Sequence, residues 1–239
     1  MVAVVFLYSL AKGNTLYAAR ENPAWCDVKP LLEKISKAQG PRRSDDIQVI
    51  VEELRIKKQA LARIVDCSTQ EVQSLYDKLA AFSVTGPDAL WLQRNLLRNL
   101  ESSLSYYEFQ KSKISDLGQK GVKDFSRSLL TWRTDLYAPL RDNASSFMLW
   151  YGNERLLAIA EGRFLVIRRT LEGNEENREA TPTLLEEARV NLRLAEDYHE
   201  KARIALRNFS GRESLEFIRE SLAALNKTYE NFFEITNTL

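Results

Sequence analysis

A hydrophobic rhythm of threes and fours runs through this chain from residue 88 almost to the C-terminus. Leu90, Leu97, Leu100, Leu104, Tyr107 and Ile114 recur at heptad spacing, with Gln93 and Lys111 as polar interruptions. A seam sustained this long predicts helices packed in coiled-coil fashion. Val122, Phe125, Leu129, Trp132 and Leu136 carry the rhythm on to Pro139. Proline has no backbone N–H and clashes with the preceding turn, so a kink or a restart is expected there. Beyond it Phe147, Trp150, Leu157, Phe164 and Leu171 form one stripe. Leu156, Ile159, Val166 and Ile167 add apolar residues on other sides, which predicts a helix central to the bundle. Gly152 and Gly162 along it read as points of close helix–helix approach.

After a polar stretch at 173–180, Thr183-Leu184-Leu185-Glu186 has the form of a capping box, the side chains at its two ends satisfying the first free N–H groups of a helix. The seam that follows is Leu185, Ala188, Leu192, Ala195, His199, Ala202, Leu206 and Phe209. Ser210-Gly211-Arg212-Glu213 repeats the box, and Leu215, Ile218, Leu222, Leu225, Tyr229 and Phe232 mark the last helix. So short a connection makes these two helices antiparallel neighbours, a C-terminal helical hairpin.

The chain before residue 88 reads less regularly. A short helix is expected near 31–38, ended by Gly40-Pro41. Ser44 caps a longer helix with Ile47, Val51, Leu54, Leu61 and Val65 inward. Ser68-Thr69-Gln70-Glu71 then reads as a capping box opening a separate helix to about Phe82. Ser83-Val84-Thr85-Gly86-Pro87 is the clearest break. The expected organisation is a small helical subdomain over 27–82 and a long-helix bundle over 88–239. With only 9 glycines and 6 prolines, there is little turn material for an all-β fold. The fold class is all-α, an antiparallel bundle of about six or seven amphipathic helices. No repeat at a solenoid period occurs.

The first residues have a different character. Residues 2–11 are a ten-residue apolar stretch, shorter than the roughly 20 a membrane-spanning helix needs, and no transmembrane span is expected. Followed by Lys12-Gly13-Asn14-Thr15 and Leu16-Tyr17-Ala18-Ala19, it has the layout of a signal peptide over 1–18, cleaved after Ala18. No Lys or Arg precedes Val2, which departs from that layout; an apolar first helix or strand tucked against the bundle is the competing reading. The two cysteines, Cys26 and Cys67, form an even count that suits one disulfide in an oxidising compartment, and equally suits two separate thiols.

Charge and chemistry exclude more than they select. Thirty-four basic residues against 33 acidic leave a formal charge of +1, so no strong attraction to nucleic acid or anionic membrane is expected. His199 is the only histidine, and any triad or His-dependent metal site would have to use it. Its place among Ala195, Ala202 and Leu206 favours packing. Glu196-x-x-His199 matches one element of a di-iron bundle, but such a site needs a second copy of that element. Arg193-x5-His199 resembles the Arg–His pair of HEPN-type helical ribonucleases, which implies RNA cleavage by those two side chains. Trp132, Trp150 and Tyr151 could line a small-molecule site between helices, and Trp91, off its seam, is the candidate for a partner contact. Asn143, Asn208 and Asn226 stand in Asn-x-Ser/Thr patterns of the kind chance supplies. No phosphate loop, dinucleotide turn or zinc motif is present, and no cofactor or metal is expected. The expectation is a non-enzymatic, exported (periplasmic or extracellular) bundle that binds a protein partner, self-associates or assembles in the cell envelope. A ligand-binding bundle is the alternative, and an RNA-cleaving enzyme the remotest reading.

Overall fold

The computed structural model describes residues 47–173 and 181–238. The leader at 1–18, Cys26 and the short helix near 31–38 lie outside the described residues. All regular structure within them is helical, with no strand. The helices are α1 (Ile47–Ala80), α2 (Pro87–Lys113), α3 (Gln119–Trp132), α4 (Ala138–Glu172), α5 (Thr181–Arg207) and α6 (Gly211–Thr238).

These helices fall into two compact units. One holds Val84–Leu92 and the described residues from 142 onward; the other holds 47–83 and Gln93–Arg141. The unit boundaries therefore fall within α2 and α4, a grouping different from 27–82 and 88–239.

In the unit built on α1, α3 and most of α2, the break expected at Ser68 is absent, and α1 runs through it. The Ser68 and Thr69 hydroxyls donate to the carbonyls of Ile64 and Val65, at 2.9 and 3.0 Å. That back-bonding, one turn toward the N-terminus, lets both residues sit inside a helix instead of capping one. Cys67 is consequently mid-helix and buried. Val65 and Leu61 face inward as expected, but Ile47 and Val51 are 75% and 59% exposed. The end of α1 is closed by Gln93, read above as an interruption. Its buried amide donates to the carbonyls of Leu79, in the last turn of α1, and Phe82, two residues past its end.

The proline at 139 does not restart the helix. A widened π turn, Arg133–Tyr137, leads straight into α4, and the Ala138 N–H reaches back to the Arg133 carbonyl. The extra residue in that turn accommodates the ring and the missing donor of the proline. It also shifts the seam by one position: Leu136 is exposed and Tyr137 is buried in its place.

The other unit is built from α4, α5 and α6. Leu157, Phe164, Leu192, Leu225 and Phe232 form its core with Ala160, Ala188, Ala195 and Ala224. Four alanines among nine buried residues let the helix backbones approach closely. The closest approach falls at Gly211 and not at Gly152 or Gly162, around which a β-carbon would meet open space. A β-carbon on Gly211 would lie 2.6 Å from the Asn143 nitrogen and 2.7 Å from the Asp142 carbonyl carbon. Ser146 fixes the crossing by donating to the Gly211 carbonyl at 2.8 Å. Nor is α4 central all round, since Ile159 and Val166 are 49% and 63% exposed.

α5 and α6 pack on each other as the hairpin rhythm predicts. Their connection is a left-handed cap at Phe209, φ 56°, with Ser210 N–H donating to Ala205 and Phe209 N–H to Leu206. Glycine usually takes this position, but here the glycine is needed two residues later.

Candidate functional site

Within the α4–α6 unit, the only histidine sits half-buried in a polar junction. The His199 ring stacks on Trp150, centroids 5.2 Å apart and planes within 11°. The Trp150 indole N–H donates to the His199 carbonyl at 3.3 Å. Asn153 Nδ2 stands 3.5 Å from His199 Nδ1 and donates to Ser221 Oγ at 2.8 Å, and Ser221 passes the chain on to the Ala195 carbonyl at 2.7 Å. Burial pulls the His199 pKa down to about 4, outweighing the nearby Glu200 carboxylate, so the ring is neutral at pH 7. Ser221 is fully buried and donates to backbone, which leaves it no path to a substrate. The junction ties α4, α5 and α6 together through the Asn153 amide N–H and the Ser221 hydroxyl, while Asn153 Oδ1 is buried without a hydrogen-bond partner.

Arg193 does not join it. Six residues along a helix place two side chains roughly 240° apart around the axis, and Arg193 is exposed while His199 lies under Trp150. The Arg–His pair is therefore not assembled. Glu196 meets a second carboxylate, Glu161. Burial, and then the hydrogen bond between the two, raise the Glu196 pKa above the ordinary carboxylate value. Among the described residues no group of three or more His, Cys, Asp or Glu side chains could hold a metal ion.

The tryptophans separate. Trp91 is 49% exposed and free to meet a partner. Trp150 is buried, and Tyr151 spends its hydroxyl on the Thr85 N–H, 2.8 Å, and side chain, 3.0 Å. Trp132 belongs to the other unit, where it stacks on Tyr106 (4.1 Å, 8°) and meets Tyr107 edge-on at 5.0 Å. Tyr137 lies parallel to Trp132 at 6.2 Å, under the Arg133 guanidinium. Arg133 in turn donates to Ser68 and, at 2.9 Å, to Glu71. These rings cover one another's faces, so the cluster reads as packing around an anchored cation. Only the π turn brings Tyr137 into it; Pro139 marks an irregularity there in the sequence but not its form.

The feature best suited to recognition is one that heptad reading passed over. Between the later halves of α4 and α6 runs a solvent-open groove of about 530 Å³, lined by Ile159, Gly162, Val166, Tyr229, Phe233 and their neighbours. Phe233 is 66% exposed, and Arg163 lies over the Tyr229 ring at 5.1 Å. Ile159, Gly162, Arg163 and Val166 follow i, i+3, i+4, i+7, the spacing by which a helix presents a stripe to another helix. The signal that could have revealed it is an apolar stripe on α4 facing away from the core stripe. In comparisons with known proteins, no family model matches the chain, and no curated protein or solved structure matches it.

Proposed function

We propose that this chain is a non-enzymatic helical-bundle protein, antiparallel in the order of its helices, that acts by binding a protein helix in the α4–α6 groove. The observation that carries this reading is the groove itself. Exposed apolar side chains on two adjacent helices are arranged as one helix arranges a seam for another, and a helix laid there would bury Phe233, Val166 and Ile159 together. The neutral, covered state of His199 supports a packing role for the one residue on which most enzymatic readings depend. A photo-reactive residue at Phe233 should cross-link to another polypeptide in native-host cells, in competition with Val166→Lys. Cross-linking that is absent, or that survives the substitution, overturns the proposal.

The site of action we propose is outside the cytoplasm, on the leader-like residues 1–18 and the pair Cys26 and Cys67. Intact mass of the native protein, with thiols alkylated before and after reduction, tests this. Loss of the leader and one Cys26–Cys67 bond support export; a full-length chain with two alkylated thiols overturns it. No described helix is long and apolar enough to cross a membrane.

A further inference from the structure

We infer that His199, Asn153 and Ser221 form an acid-operated hydrogen-bond switch, in which a proton on His199 Nδ1 turns over the Asn153 amide and moves the Ser221 hydroxyl from α5 to α4. The switch is independent of the groove. Its first support is an acceptor held in reserve. Asn153 Nδ2 donates to Ser221 Oγ at 2.8 Å and stands 3.5 Å from His199 Nδ1, whereas Asn153 Oδ1 is buried with no hydrogen-bond partner. A buried acceptor left idle costs free energy, so a second arrangement that employs it lies close by. The two ends of an amide have nearly the same shape, and a half-turn about the last side-chain bond exchanges them with little repacking.

The proton decides which end suits. A neutral ring carrying its hydrogen on Nε2 leaves Nδ1 as an acceptor toward Asn153 Nδ2; once Nδ1 is protonated, two donors face each other. After the half-turn, Oδ1 accepts from both Nδ1 and the Ser221 hydroxyl. That hydroxyl now donates to the Ala195 carbonyl at 2.7 Å, so a tie from α6 to α5 is exchanged for one from α6 to α4. Ala195 releases it at little cost, because a mid-helix carbonyl keeps its own partner four residues on. His199 is half-buried, which leaves the ring open to a proton from solvent, and the parallel Trp150 face at 5.2 Å suits a cation. The charges that act on the ring lie on its own helix: Glu200 favours the proton and Arg203 opposes it. Arg203 is itself engaged by Glu200 and by Asp88 at the start of α2, and Glu196 by Glu161 of α4. α4 and α6 meet the junction with Trp150, Asn153 and Ser221, none of them charged.

Nuclear magnetic resonance of the full-length chain tests this, and the single histidine makes its ring nitrogens unambiguous. At pH 7 the expected state is a neutral ring protonated on Nε2. On acidification Nδ1 gains the proton, and the Asn153 side-chain amide signals shift with the same midpoint. A ring protonated on Nδ1 alone at pH 7 overturns the switch, as do Asn153 signals that stay still while the histidine titrates. Ser221→Ala separates the exchange from simple protonation. It removes the bond that holds Nδ2 in its present place and the bond to Ala195, two interactions of the neutral arrangement against one of the acid arrangement. The His199 midpoint should therefore rise by about half a pH unit or more. A midpoint that is unchanged or lower means that the ring takes its proton without turning the amide, and overturns the switch. Should the wild type or Ser221→Ala unfold before the ring titrates, Asn153→Asp sets a fixed acceptor against Nδ1 and should raise the midpoint by about 1–3 pH units. A ring in that variant that takes up no proton at any pH at which the chain is folded overturns the switch as well.

Discussion

The interiors of the two units solve the same problem in opposite ways. In the α4–α6 unit the helices come close because alanine and glycine line the contact, and small polar groups bridge the remaining space: Ser146 to Gly211, Asn153 to Ser221, Ser221 to Ala195. In the unit of α1, α3 and most of α2, large rings fill the interior, with Tyr106, Tyr107, Trp132 and Tyr137 packed on one another and Arg133 bound to Ser68 and Glu71 at their edge. A close-packed backbone crossing has no room to yield, so one added carbon is felt at once. A ring cluster at the end of a widened turn has more freedom to repack. The first interior should therefore be far less tolerant of substitution.

The largest expected effect is at Gly211. Gly211→Val should lower stability by about 3 kcal/mol or more, because even its β-carbon has no space against the backbone of Asp142 and Asn143. Thermal melting checks this; a loss no greater than that of an exposed helical substitution would remove the close crossing from the account.

Next is pH. The folded-state pKa of His199, about 4, lies below its ordinary value of 6.5, so the unfolded chain takes up the proton first. The stability this residue confers is complete above about pH 6.5, falls as pH drops from there toward 4, and changes no further below. The change amounts to about 3 kcal/mol. Glu196, whose pKa is raised, contributes the opposite slope in the acid range, so the difference between wild type and His199→Gln is what isolates the histidine. Urea unfolding of both at pH 7.5 and 4.5 should show a smaller acid loss in the variant.

A direct comparison of the two interiors comes third. Asn153→Ala should cost roughly 2 kcal/mol, since it strips a buried donor from Ser221 and opens a gap. Arg133→Met should cost only about 1 kcal/mol, because the Arg133–Glu71 pair is 30% exposed on both sides and solvent screens it. Equal losses, or the reverse order, would mean that the two interiors tolerate substitution alike.

The smallest effect is a gain. Phe209→Gly should stabilise the chain by about 1 kcal/mol by relieving a left-handed conformation that costs a residue with a β-carbon roughly that much. Gly152→Ala should gain about 0.5–1 kcal/mol, since nothing crowds that helical position.

The helical class, the break before Pro87, the packing of α5 on α6 and most core positions, Leu100, Tyr107, Phe125, Leu129, Phe164 and Leu225 among them, are legible in the sequence because burial follows the helical period. Three things are not. The Ser68-Thr69-Gln70-Glu71 pattern serves inside a helix as well as at its start, since its hydroxyls can bond back one turn. The π turn moves burial from Leu136 to Tyr137, and a fixed period cannot anticipate an inserted residue. Periodicity also cannot say which glycine meets a backbone, and it is Gly211, from a capping-box pattern, that does.

The same division governs the site. The sequence determines which faces of α4 and α6 are apolar, because side-chain direction follows from position along a helix. Only tertiary packing decides which of those faces is used inside the unit and which is left open to water. One stripe of α4 closes on Ala195 and Leu225 while the stripe of Ile159, Gly162 and Val166 stays exposed, a choice made by the neighbours available to each. Likewise the sequence supplies a single histidine on an apolar seam, and the fold alone lays it, half-buried, against Trp150 and removes its charge at pH 7.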